Sequence, residues 1–157
     1  MKNFVGLFVL LITSIQANAI SLSEAVEAKD IYISIKKLDT QFNYIFPGKN
    51  VVISVLNRTG KTIKLDLGTG SVLKPKANST SDIVIIGDIS KSIEHNVTTE
   101  IGVYGLSLQK LLAQPIKNSS FSYGGELTGD IKQLCNYINA HGFLNSIGQD
   151  ALWAVNR

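Results

Sequence analysis

Between Ile31 and Leu108 the apolar residues fall at every second position in short runs, and turn residues close each run. Ile31, Ile33 and Ile35 interleave with Tyr32, Ser34 and Lys36, and Ile63, Leu65 and Leu67 interleave with Lys64 and Asp66. A period of two sends alternate side chains to opposite faces of an extended chain, so these runs predict half-buried strands. Residues 51–56, 82–86 and 98–108 add apolar strands, and 71–74 a short one. Turn signals recur every dozen or so residues, leaving no room for the helical crossovers that a parallel sheet needs. The expected fold is therefore mainly β, an antiparallel immunoglobulin-like sandwich. Within it, Asn57-Arg58-Thr59-Gly60 should close a β-hairpin between 51–56 and 61–67.

The period changes at both ends of this region. Residues 21–28 read as a short helix with Ser23 as its N-cap and with Leu22, Ala25 and Val26 on one face. After a linking stretch at 115–125, Leu127, Ile131, Leu134, Cys135 and Ile138 stand at helical spacing over 127–140. Thr128 or Asp130 starts that helix, and Gly142 suits a left-handed cap at its end. A second helix follows at 146–155, with Ile147, Ala151, Leu152 and Val155 on its apolar side. The two make an αα-hairpin laid against the sandwich.

Residues 1–19 read as an export leader. Lys2 supplies the positive charge, residues 4–15 the apolar stretch, and Ala17-Asn18-Ala19 a small-x-small cleavage site. The stretch is too short to span a bilayer, which takes about 20 residues. The expected product is a single domain, 20–157, cleaved after Ala19 and working in the periplasm or outside the cell. It divides into a β part with its leading helix (20–112) and a helical part (126–157). With no cysteine just after the leader and no apolar tail before Arg157, the reading predicts neither a lipid nor a membrane anchor.

Cys135 is the lone cysteine, so the core must hold without an internal disulfide. The net charge is +3, and Lys36-Lys37, Lys61/Lys64 and Lys74/Lys76 are short clusters, which we read as solvated strand faces. No concentrated basic stripe is present, which argues against nucleic acid as a partner. Asn57, Asn78, Asn96 and Asn118 each open a glycosylation-type triplet. The Ile-, Lys-, Asn- and Ser-rich composition points to a bacterial source, in which these are chance matches.

The sequence nominates no reaction centre and no cofactor. His95 and His141 lack ligand partners at zinc spacing, so no metal site is expected. There is no Gly-x-Ser-x-Gly, and Ser107 reads as a strand residue. Twelve acidic residues could hide a facing pair, but the sequence singles out none. Gly68-Thr69-Gly70 follows a strand without opening a helix and reads as a turn. Cys135 shares a helical face with Leu134 and Ile138, as a buried, inert thiol would. Trp153 is the only tryptophan and should cover the sheet, with Gln149 one turn before it. The reading that remains is an exported, non-catalytic protein that binds a protein or a glycan, with Tyr44, Phe46, Phe121 and Tyr123 as candidate contact aromatics.

Several segments in order carry a resemblance: Ser21-Leu22-Ser23-Glu24-Ala25, the 51–67 region, Ser81-Asp82-Ile83-Val84-Ile85, Val103-Tyr104-Gly105 and Gln149-Asp150-Ala151-Leu152-Trp153-Ala154-Val155. Together they resemble a family of exported Bacteroidota-type proteins. The resemblance implies an immunoglobulin-like sandwich with a helical C-terminal piece, and no activity. It also implies paired cysteines where this chain has Asn50 and Leu106/Ser107. The closing segment is similar to the glutamine motif of thioester domains in bacterial surface adhesins, which would make Gln149 an acyl partner. Ser107 then stands nearest the donor cysteine's place, and Cys135, on the preceding helix, is the only thiol that could serve. Covalent capture or hydrolysis is thus the alternative function.

Overall fold

The computed structural model describes residues 19–38, 48–77, 79–116 and 118–156. The leader up to Asn18, the aromatics Tyr44 and Phe46, and Asn78 lie outside the described residues. In chain order the elements are β1 (Ala19–Ser21), α1 (Leu22–Glu27), β2 (Ile31–Lys37), β3 (Val51–Asn57), β4 (Ile63–Leu67) and β5 (Ser71–Pro75). They continue with β6 (Ile83–Ile86), β7 (Ile89–Ile93), β8 (Thr98–Ser107), β9 (Ser120–Glu126), α2 (Gly129–His141) and α3 (Ser146–Val155).

The protein is mainly β with a C-terminal helix pair, as expected, but its strands do not form the two open, facing layers of an immunoglobulin-like sandwich. β2, β3, β8, β6, β5 and β9 follow one another around a closed barrel, and β1, β4 and β7 make a separate three-stranded sheet. Closure comes from β9, which pairs with β2 (Ile35 opposite Phe121) and with β5 (Leu73 opposite Tyr123). That strand reads as a linker in the sequence because Ser120, Ser122, Gly124 and Gly125 dilute its apolar signal. Pairing is antiparallel throughout the barrel. In the small sheet β1 lies parallel to β4, with Ala19 opposite Lys64. The bond predicted for leader cleavage, after Ala19, therefore falls inside β1.

The expected hairpin between β3 and β4 is not formed. β3 pairs with β2 and β8, whereas β4 pairs with β1 and β7. Asn57 decides this crossing between sheets. Fully buried, it donates from Nδ2 to Lys61 O (2.8 Å) and to Ile93 O on β7 (3.0 Å), and its Oδ1 accepts from Thr59 N (3.0 Å) and Thr59 Oγ1 (2.7 Å). The side chain thus shapes the turn and ties it to β7, and its engaged amide leaves nothing for a glycan.

α1 is capped by Ser21, not Ser23: Ser21 Oγ accepts from Glu24 N (3.2 Å) while Glu24 Oε2 takes the Ser21 N–H (2.7 Å). Leu22 and Ala25 are buried under it, but Val26 is exposed. α2 ends at Gly142 in the left-handed conformation (φ 68°), as expected.

The apolar residues form two cores. One fills the barrel and the space beneath α1 and the small sheet, and includes Ile53, Val55, Leu65, Leu73, Ile85 and Val103. The other lies on the outer barrel face under the helix pair, where Val84, Ile86 and Leu106 meet Cys135, Ile138 and Leu152. Gly148 lets α3 pack against α2 and the connection that follows it, because a Cβ there would stand 2.1 Å from Phe143 O and 3.1 Å from Ile138 Cγ2. The apolar side expected of α3 is only partly covered, since Ile147 and Val155 are exposed.

Candidate functional site

β8 outruns its neighbour. Its pairing with β3 ends at Val103 opposite Val51, yet the strand continues to Ser107. On that side the ladder is completed by side chains. Asn50 Nδ2 donates to Gly105 O (2.7 Å) and Asn50 Oδ1 accepts from Gly105 N (2.7 Å). Two residues on, Gln149 Nε2 donates to Ser107 O (2.7 Å) and Gln149 Oε1 accepts from Ser107 N (2.9 Å). Each carboxamide exchanges both bonds that a paired strand residue would exchange, since a primary amide carries donor and acceptor side by side. Gln149 holds α3 against the barrel in this way. Gly105 is required here, because a Cβ would lie 2.3 Å from Ile83 Cγ2.

Above this patched edge is a cleft of about 360 Å³. Lys37 enters it from the end of β2, Tyr104 from β8, Gln114 and Pro115 from the segment after β8, and Asn145 and Ser146 from the start of α3. Among the described residues its lining holds no carboxylate and no histidine. Lys37 is fixed in place by its backbone: its N–H donates to Ser119 O (2.9 Å) and its C=O accepts from Asn118 N (3.0 Å). Burial lowers the affinity of its ammonium for the proton, and burial raises the pKa of Tyr104.

The Ser107 hydroxyl lies 2.5 Å from Ser81 Oγ, which in turn sits 2.8 Å from Gln109 Oε1. Its partner is another hydroxyl, and the chain of bonds leads to an amide, so nothing in it can take the proton from Ser107 as a general base would.

The sequence candidates fall in different places. Gln149 reaches the cleft. Cys135 is fully buried in the outer core, and burial pushes its thiol up to about 11. Gln149 therefore meets Ser107 with its amide engaged at both atoms, while the chain's only thiol packs beside Leu152 and Ile138. Trp153 borders a separate, wider groove of about 890 Å³ with Leu111, Leu112 and Asp150. There Leu111 is 96% exposed and the Lys110 ammonium stands 5.8 Å from the indole centroid. Trp153 Nε1 is buried without a hydrogen-bond partner among the described residues. Phe121 is buried and Tyr123 half-buried against the barrel core, and both border a cleft of about 310 Å³ with Ser34 and Lys76. His95 Nδ1 accepts from Gly60 N (3.1 Å), and His141 stacks on Tyr137 with ring centroids 3.9 Å apart. Among the described residues, no group of three or more His, Cys, Asp or Glu is placed to hold a metal ion. Gly68-Thr69-Gly70 is a turn, as expected. Thr69 is buried there, accepting from Gly87 N (2.9 Å) and from Asn139 of α2 (3.3 Å), while Lys132 donates to its carbonyl.

Sequence reasoning missed Lys37, Tyr104, Gln114, Asn145 and Ser146. A signal existed for Lys37, which shares the parity of Ile31, Ile33 and Ile35 and so faces inward, while Lys36 faces solvent. Asn50, Ser107 and Gln149, the positions that the resemblance set apart, do meet at one edge of β8.

Comparison with family models, curated proteins and solved structures finds no match. What the protein does must therefore be argued from the cleft.

Proposed function

We propose that this is an exported, non-catalytic binding protein and that the cleft beside β8 takes a small saccharide. One observation carries the reading. Lys37, Tyr104, Gln114 and Ser146 line a single cleft, and none of their side-chain polar groups is hydrogen-bonded or ion-paired among the described residues. Free donors and acceptors over a floor in which Ile83, Leu106 and Pro115 are themselves almost wholly covered suit a ligand rich in hydroxyls. The volume falls within the roughly 300–1,000 Å³ range of small-molecule sites. The amide-patched edge of β8 supplies a rigid floor, which limits the ordering cost of binding. Export rests on the leader pattern of residues 1–19.

The test is ligand-observed NMR on a panel of neutral and acidic mono- and oligosaccharides, followed by amide-shift mapping. Binding should perturb residues 104–107 and 145–149. A panel without a single binder, or shifts gathered around Trp153 and Leu111, would overturn the assignment. Intact mass of protein recovered after secretion should lack residues 1–19; a retained leader would remove the export part.

A further inference from the structure

We infer, on the footing of that reading, that the saccharide carries a carboxylate and that Lys37 seats it. Lys37 is the only charged side chain lining the cleft among the described residues. Its neighbours there are amides and hydroxyls, which can bond a sugar but cannot neutralise an ammonium. Register puts Lys37 opposite Val51, next to Asn50, so its backbone stands beside the floor of the cleft. The side chain is half-buried and makes no ion pair among the described residues.

An ammonium partly withdrawn from water and left without a counterion gains most from an anion that arrives with the ligand. A neutral sugar would fill the cleft and leave that charge unmatched. A bare inorganic anion would match it and leave the tyrosine, glutamine and serine groups idle. A uronic-acid-type sugar meets both demands, with its carboxylate on Lys37 and its hydroxyls toward Tyr104, Gln114 and Ser146.

Calorimetric titration of the whole protein with glucuronate, glucuronate methyl ester and acetate separates the outcomes. Glucuronate should bind about ten- to a hundred-fold more tightly than its ester, the usual span for a hydrogen bond to a charged group. Lys37→Met should erase the difference while circular dichroism stays unchanged, and Lys37→Arg should keep part of it. The ester comparison uses the unaltered protein, so it decides the matter even if Lys37→Met folds poorly. Equal binding of acid and ester overturns the carboxylate inference and leaves the saccharide cleft standing. Acetate binding as tightly as glucuronate shows a simple anion site and overturns the saccharide part. If neither these three nor neutral oligosaccharides bind, the cleft reading fails first and the inference falls with it.

Discussion

The core inside the barrel and the core under the helix pair share strands but not construction. In β6 the odd residues Ile83 and Ile85 point into the barrel, and the even residues Val84 and Ile86 point out to the helices. β8 divides the same way, with Ile101 and Val103 inside and Leu106 outside, and Leu108 just beyond the strand joins the outer core. The inner core is enclosed by strands from nearly the whole chain, so it exists only once the ring is complete. The outer core rests on three buried helix side chains, Cys135, Ile138 and Leu152, and on the Gln149–Ser107 exchange. The inner core thus makes the fold, and the outer one fixes where α3 sits. The candidate cleft depends on both, because Lys37 comes with the barrel and Ser146 with the helix.

If that division is right, damage to each core should differ in reach more than in size. Ile53→Ala, at a fully buried barrel position, should cost about 2–5 kcal/mol and lower the melting of every probe together. Leu152→Ala has a comparable local cost, but hydrogen exchange should quicken in α2 and α3 before the barrel strands. Uniform exchange in both variants would erase the distinction between the cores.

Gln149→Leu should follow, at about 2–4 kcal/mol, since it strips partners from both backbone groups of Ser107. Its signature is loss of ligand shifts at Ser146 with the barrel spectrum intact. An unchanged α3 would show that the carboxamide does not anchor the helix.

Cys135 sharpens the comparison through pH. Its thiol rises from an ordinary 9.0 to about 11 on burial. The folded state then holds its proton where the unfolded state has lost it, so stability is full below pH 9 and falls as pH climbs from 9 toward 11. The loss amounts to roughly 2–3 kcal/mol. Denaturant midpoints should fall over that window in the native chain and flatten in Cys135→Ala. Alkylation of the native thiol near pH 8 should be slow, and rapid labelling would contradict a closed outer core.

The smallest effect belongs to the α1 capping box. Ser21→Ala should cost about 1 kcal/mol, read as a shift in denaturant midpoint, and leave the helix pair untouched.

Much of the secondary structure was legible in the sequence, but little of its partnership. Strict alternation located β2 and β4, and spacing plus Gly142 located α2, because those signals live within a few residues. β7 and β9 escaped notice, since Ser90-Lys91-Ser92 and Gly124-Gly125 carry no apolar side chains to mark a strand. The hairpin expectation failed at Asn57, whose buried amide reaches a strand 36 residues further on. The cleft was the least legible part. Its residues come from β2, β8, the segment after β8 and the start of α3, and no local pattern joins them.

By itself, then, the sequence determined the strands with strict alternation and the helices with strong apolar spacing, because side-chain period and turn chemistry act over short range. Only the tertiary structure decided that the strands close into a ring, that β3 and β4 part company, and that Lys37, Asn50 and Gln149 meet beside β8. Those outcomes depend on which distant edges satisfy one another's hydrogen bonds, and that competition is settled in three dimensions.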